Sequence, residues 1–280
     1  MSNLPGAKFR YEKDGYRIYE CERTGMMFVH PQPSQEELNK IYSSGYFSRG
    51  NKYTPPAGDR NADPQYFNDQ RKLGLLKKHA SSGKLLDLGS AMGGFLAVAK
   101  GAGFDVEGLE VSSYGAEYTE RELKIKVYNS DLPSAKLASA SYDIVTMWDV
   151  IEHLRDLDST MSEVSRILKP GGLLFVTTGD IGSPYAKLMG RRWHLLTPPQ
   201  HLFYFTKKSL SETLAKHGLG VQEIVHLGKH ASLDFALFKA EESFGSLATG
   251  IRKLAQKTGL YRKKLYINLG DIMTAVARKK

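Results

Sequence analysis

The chain has 280 residues, of which 41% are hydrophobic and 25% charged, with a formal net charge of +9. These are ordinary globular values, so wholesale disorder and fibrous classes are excluded. A single cysteine, Cys21, excludes an intrachain disulfide framework and a cysteine-cage zinc site, and points to a reducing compartment.

The opening MSNLPGAKFRYEKDGY lacks the apolar run of a secretion signal, and no stretch approaches the roughly 20 apolar residues of a membrane span. A cytoplasmic protein is therefore expected. Charge is uneven along the chain. From Ala231 to Lys280 there are ten Lys/Arg against four Asp/Glu. A solvated basic face is the first reading of that end, and an anionic partner the second.

Residues 1–60 are rich in Tyr, Pro and Gly and weakly periodic. Ser34 with Glu37 three residues on forms a capping box and predicts a short helix over 35–42. Residues 54–64 (TPPAGDRNADP) read as an exposed linker. Residues 66–79 suit a helix with Phe67, Leu73 and Leu76 toward one side. From Lys84 short apolar runs alternate with amphipathic stretches. Strands are predicted at 84–88, 105–109, 125–128, 142–148 and 173–178, with helices between them. The helix after the fourth strand carries Leu154, Leu157, Met161, Val164 and Leu168 at alternating spacings of three and four. Lys169-Pro170-Gly171-Gly172 ends it.

Such alternation implies βαβ crossovers and a mostly parallel sheet, buried on both faces. After a loop over 179–205, residues 209–217 read as a helix and 221–227 as a strand. Residues 231–257 read as helix with Leu233, Leu237, Phe244, Leu247, Ile251 and Leu254 on a stripe. Residues 271–277 would be the last strand.

Open parallel sheets bind ligands at the carboxyl ends of their strands. Four features fall there. Asp87-Leu-Gly89-Ser-Ala91-Met-Gly93-Gly94 supplies small residues for close backbone approach and a helix N-terminus. Glu110 follows the second strand, 21 residues after Gly89, where a carboxylate can accept from a ribose diol. Asp131 with Leu132 follows the third strand, placed to meet an adenine edge. Trp148-Asp149-Val-Ile-Glu152-His153 ends the fourth. Each acid alone reads equally as a cap or a solvated loop residue. The four in register point to one site.

LLDLGSAMGGFL, the acid at Glu110, SDL, YDIVTMWDVIEHLRD and LKPGGLLFVTT together resemble the class I S-adenosylmethionine-dependent methyltransferases, over roughly residues 84–227 plus the last strand. Trp193-His-Leu-Leu-Thr-Pro-Pro-Gln-His201-Leu-Phe-Tyr204 resembles a stretch of the small-molecule and glycan-pathway members, which are related to ubiquinone-biosynthesis O-methyltransferases. The resemblance implies a Rossmann-like doubly wound α/β fold, with a mostly parallel seven-stranded sheet and an antiparallel last strand. It implies S-adenosyl-L-methionine bound by Asp87, Gly89, Ala91, Gly93, Glu110, Asp131, Leu132, Trp148 and Asp149.

Trp193, His194, His201 and Tyr204 would meet a small-molecule, glycan or lipid-linked acceptor methylated on oxygen. His153, then His201 and His194, would serve as the base. Ala91 departs from the family's usual glycine. Cys21 to Pro31 is similar to half of an N-terminal zinc ribbon, with Thr24 where a cysteine would stand, so no metal is expected.

The implied organisation is a cover segment at 1–60, a methyltransferase core at 61–230, a helical cap insertion at 231–266 and the last core strand at 267–280. The cap's apolar stripe is expected to pack on the domain, with Arg252, Lys253, Lys257, Arg262, Lys263 and Lys264 outward. Weak contact with an anionic membrane, hence a peripheral location, is the secondary expectation. The alternatives are an NAD(P)-dependent oxidoreductase, prompted by the near-dinucleotide glycine pattern, an RNA-binding protein or RNA methyltransferase, prompted by the charge, and a cofactor-binding module without turnover. Against nucleic acid, no Asn-Pro-Pro-Tyr type motif follows the fourth strand.

Overall fold

The computed structural model describes residues 6–34, 36–38 and 63–280. Where weak periodicity named no strand, the N-terminal stretch forms an antiparallel meander of β1 (Ala7–Lys13), β2 (Tyr16–Cys21) and β3 (Met27–Val29). Of the helix expected over 35–42, residues 36–38 are described and helical. Its capping box is formed: the Glu37 N–H donates to Ser34 Oγ at 3.2 Å and the Ser34 N–H to Glu37 Oε2 at 2.7 Å. Most of the expected linker over 54–64 lies outside the described residues. At its end Asp63 caps α1 (Pro64–His79), accepting the Gln65 N–H at 2.8 Å, and Pro64 occupies the first turn, where its missing N–H leaves no gap.

The βα alternation then builds the main sheet. Its elements are β4 (Lys84–Leu88), α2 (Gly94–Gly101), β5 (Asp105–Leu109), α3 (Ser113–Leu123), β6 (Val127–Tyr128), β7 (Tyr142–Trp148), α4 (Leu157–Ile167) and β8 (Leu168–Gly179). Farther along come α5 (Pro184–Met189), β9 (Phe203–Tyr204), α6 (Lys207–Lys216), β10 (Leu219–Val225), β11 (Lys229–Ser232), α7 (Leu233–Phe244), α8 (Ser246–Lys257), β12 (Lys264–Ile267) and β13 (Ile272–Lys279). The seven-stranded order is β10-β13-β8-β7-β4-β5-β6. β6, β5, β4, β7 and β8 run parallel, and β13 lies antiparallel between β8 and β10.

Both faces of the central strands are buried, which is why most of their positions are apolar. Leu85, Ile144, Leu173 and Phe175 meet Leu73 and Leu76 of α1 and Phe95 and Leu96 of α2 on one side. Their neighbours Leu86, Val145, Leu174 and Val176 meet Met161 and Val164 of α4 and Leu210 and Leu214 of α6 on the other.

Three further stretches differ from the sequence reading. β8 begins at Leu168, directly after α4, and pairs with β7 across a register shift between Tyr142 and Ile144. The 179–205 segment is not a plain loop. It contains α5 and β9, and β9 completes the N-terminal sheet against β3.

The insertion is not one helix but a β11–β12 ribbon enclosing α7 and α8, which are separated at Gly245 (φ +56°). It is anchored to α1 by a two-way bond: Asn68 Nδ2 donates to the His230 carbonyl at 3.0 Å and the His230 N–H to Asn68 Oδ1 at 2.6 Å. The expected packing of its whole stripe is corrected. α8 buries Ala248 and Ala255 while Leu247, Ile251 and Leu254 face solvent, because the break at Gly245 puts α8 out of phase with the stripe of α7.

α3 docks tightly on the loop after β4 through Gly115, where an added Cβ would sit 2.6 Å from the Ala91 carbonyl oxygen. Ala is the better helix former by about 1 kcal/mol. Gly115→Ala is nevertheless expected to lower stability to urea, by roughly 1–3 kcal/mol, because the obstacle is backbone. A stabilised variant would show that this contact yields.

Candidate active site

A cleft of about 1450 Å³ opens at the carboxyl ends of β4, β5, β6 and β7. Of the residues singled out in the sequence, Gly89, Ala91, Glu110, Asp131, Leu132, Asp149 and His153 line it. Gln32 and Leu38 reach it from the N-terminal segment. The loop after β4 has three left-handed residues in five: Gly89 (φ +68°), Ala91 (φ +49°) and Gly93 (φ +72°). Glycine takes these angles freely; Ala91 does so against about 1–2 kcal/mol.

Glu110 holds that loop in place. Its Oε2 accepts the Ala91 N–H and its Oε1 the Ser112 N–H, both at 2.8 Å. Burial raises the Glu110 pKa, and the amides of Ser112, Ala91 and Val111 oppose the rise. Asp131 Oδ1 accepts the Ser134 N–H at 2.8 Å, fixing the turn after β6.

Asp87, Gly93 and Trp148 lie off the cleft wall. Asp87 is buried and accepts from the Thr146 hydroxyl at 2.6 Å. Burial pushes its carboxyl up to about 7, against the Thr146 bond and the Lys72 ammonium. Lys72 was not marked by sequence reasoning. Its Nζ bonds Asp69 Oδ1 at 2.8 Å and stands 5.4 Å from the Trp148 ring centroid and 5.8 Å from that of Phe95. Burial works to lower the Lys72 pKa, but Asp69, Asp149 and Asp87 outweigh it and hold it raised. Its only signal in the sequence was an Asp–Lys pair three apart on a helix with Leu73 and Leu76. The faces of Trp148 and Phe95 thus already carry a cation of the protein.

Asp149 (φ +58°) pairs with Lys229 of the insertion. Beside it the His153 ring stands edge-on to His201, with centroids 4.7 Å apart. His153 Nδ1 lies 2.7 Å from the Gln200 carbonyl oxygen and His201 Nδ1 lies 2.8 Å from that of Leu195. Each Nδ1 must be the protonated donor, which leaves Nε2 the basic nitrogen of each neutral ring. Glu152 is buried and its Oε2 has no hydrogen-bond partner among the described residues. Burial and the neighbouring Asp149 raise its pKa well above the carboxylate range.

Glu152, His153 and His201 each offer a ligand atom within 4.8 Å of the others, a set that could hold a metal ion. Trp193, His194, His201 and Tyr204 are not on the cleft wall. Trp193 Nε1 donates to Asp271 at 2.8 Å, His194 Nδ1 lies 3.6 Å from the same carboxylate, and the Tyr204 hydroxyl donates to the His201 carbonyl at 3.0 Å.

Two outcomes follow from this geometry. Glu110→Gln must turn an amide N–H toward one of the two backbone donors, leaving a buried N–H unpaired at about 1–3 kcal/mol. Amide exchange at Ala91 or Ser112 is expected to quicken, and unchanged protection at both would refute the staple. For Asp87, a folded pKa near 7 against an ordinary 3.8 means that the native state holds the proton longer than the unfolded chain. The stability of wild type minus that of Asp87→Asn should therefore fall as pH rises from about 4 to about 7, by up to ~1.4 kcal/mol per pH unit, and then level off. A flat difference in urea titrations would contradict this.

The sequence profile of a family described as "Methyltransferase domain" matches residues 60–224. A ubiquinone biosynthesis O-methyltransferase of Brucella anthropi is 28% identical over 150 residues, covering 49% of this chain and 59% of the relative. The chain spans about half the length of the curated relatives it matches. Among solved structures, a SAM-dependent methyltransferase from Archaeoglobus fulgidus superposes with a TM-score of 0.55 at 18% identity, covering 84% of this chain and 99% of its own. The 1,6-didemethyltoxoflavin-N1-methyltransferase of Burkholderia thailandensis, solved with 1,6-didemethyltoxoflavin and S-adenosylhomocysteine, gives 0.53 at 14% identity, covering 98% and 100%. At such identities the structural likeness speaks for the fold.

Proposed function

The chain belongs to the methyltransferase-domain family, and on that premise we propose that it transfers a methyl group from S-adenosylmethionine to an oxygen of a small-molecule, glycan or lipid-linked acceptor. The arrangement of carboxylates carries the reading. Glu110, Asp131 and Asp149 stand after β5, β6 and β7, around the loop that follows β4, and all face one cleft.

Between Leu88 and Val150 the cleft wall holds these three carboxylates and no Lys or Arg. That suits a ligand bearing a ribose diol and positive charge. It disfavours the pyrophosphate of a dinucleotide, which would meet like charge.

The nucleoside donor supplies a methyl group on a sulfonium, already activated for in-line displacement. The protein's part is alignment and control of one proton. Gly89 and Ala91 present backbone close to the ligand. Glu110 uses one lone pair of each oxygen on the loop and retains others to accept ribose hydroxyls. Leu132, buried beside Asp131, offers an apolar wall to the base. Asp87, Gly93 and Trp148 support the loop from behind, and Asp149 closes the side nearest the insertion.

His153 is the assigned base, because its Nδ1–H is committed to Gln200 and its basic Nε2 belongs to a residue on the wall. His201, edge-on to it, is the second candidate. Trp193, His194 and Tyr204 are assigned to shaping the acceptor side. The O-methyltransferase names of the curated relatives support oxygen as the target.

Calorimetry decides the cofactor. Saturable binding of S-adenosylhomocysteine and none of NAD is expected, and the reverse would refute the reading. Release of S-adenosylhomocysteine, screened over quinone precursors, sugar nucleotides and lipid-linked glycans, then identifies the acceptor. With it, His153→Ala should lower kcat about 10²–10⁴-fold while leaving the KM for S-adenosylmethionine unchanged. An unaltered kcat would remove His153 from the chemistry.

A further inference from the structure

The outer surface of the insertion carries a feature that methyl transfer does not use. α8 rests on α7 through the small residues Ala248 and Ala255, and through Arg252, which clamps Asp234 at 2.8 and 2.9 Å. Its larger apolar side chains face away. Leu247, Ile251 and Leu254, spaced four and three apart, are 68%, 49% and 62% exposed, and Leu260 in the following turn is 53% exposed. Side chains at that spacing share one face of a helix. A continuous apolar stripe on solvent marks a surface that meets something.

The charge around the stripe identifies the occupant. Residues 243–270 contain six Lys/Arg and no Asp/Glu. Lys253, Lys257, Arg262 and Lys263 are exposed. Of the acids on α7 whose side chains are described, Asp234 and Glu241 are both engaged by Arg252.

We propose that this face docks on a bilayer containing anionic lipid. Leu247, Ile251 and Leu254 enter the boundary between headgroups and acyl chains, and the lysines and arginines meet the headgroups. An interfacial helix needs both parts: apolar area for depth and cations for affinity. A second copy fits less well, since a twofold contact would set one cationic rim against another. RNA would satisfy the cations and leave the leucines in water.

The test is sedimentation of the full chain with phosphatidylcholine vesicles, with and without phosphatidylglycerol. Binding is expected to the mixed vesicles and to be at least about tenfold weaker to phosphatidylcholine alone, since each cation near an anionic surface contributes about fivefold. Raising salt should weaken it.

The triple variant Leu247→Ser, Ile251→Ser, Leu254→Ser should keep the wild-type urea midpoint, because these side chains are exposed, and should lose vesicle binding. Lys253→Gln, Lys257→Gln, Lys263→Gln should lose most of the preference for phosphatidylglycerol. Three results would overturn the proposal. The first is no sedimentation with either vesicle. The second is binding that survives the serine variant. The third is a concentration-dependent dimer, seen by light scattering, that the serine variant abolishes while vesicles remain unbound. Because no methyl donor takes part, failure here leaves the proposed activity untouched, and failure there leaves this surface untouched.

Discussion

One carboxylate ties the ligand-facing end of the sheet together. Glu110 leaves β5 and accepts backbone N–H groups from two separate turns, that of Ala91 after β4 and that of Ser112 before α3. Neighbouring parallel strands are thereby coupled beyond their ladder. The bond to Ala91 also accounts for an alanine at φ +49°, where glycine would be at ease. A left-handed alanine persists only when its surroundings over-determine it. Here they do so twice, through the Glu110 oxygen on its N–H and the close approach of Gly115 to its carbonyl.

Beneath this loop the structure balances charge in a buried layer. Lys72 is surrounded by Asp69, Asp87 and Asp149, and its ammonium lies over the rings of Trp148 and Phe95. A buried ammonium is tolerable only when paired and hydrogen-bonded. Asp69 provides the hydrogen bond, and the aromatic faces add a further attraction. The acid in front of the glycine loop, Asp87, is thus part of a network that spans α1, β4 and β7.

The parallel core was legible because its signal is local. Leu85 and Leu86, or Ile144 and Val145, point to opposite faces, both faces are covered by helices, and the strands accordingly read as unbroken apolar runs. The acids at strand ends were legible for the same reason, as Glu110 and Asp149 follow their runs directly and Asp131 comes three residues after its own. What escaped was set at a distance. β9 has two residues and exists because Met27 and Phe28 pair with Tyr204 and Phe203. No pattern within 179–205 announces a partner from the N-terminus. Beyond its pairing with Asp69, Lys72 carries no mark in the sequence of its helix, and its partial burial rests on Trp148 and Phe95 converging from other elements. The insertion failed differently. A stripe from Leu233 to Leu254 assumes one helical phase, and a single left-handed glycine at 245 breaks that phase.

The N-terminal sheet has a kinetic consequence. Thr206 Oγ1 donates to the carbonyl of Thr24, 182 residues away along the chain, next to the β3–β9 pairing. Contacts of that span bear a heavy loop-closure entropy until intervening structure has drawn the ends together. The βα units can assemble from neighbours in sequence, whereas the meander gains its fourth strand only after α5 and β9 are placed. Gln32 and Leu38, which reach the cleft from beyond β3, belong to this long-range part of the chain, so their wall of the cleft is expected to form after the βα core.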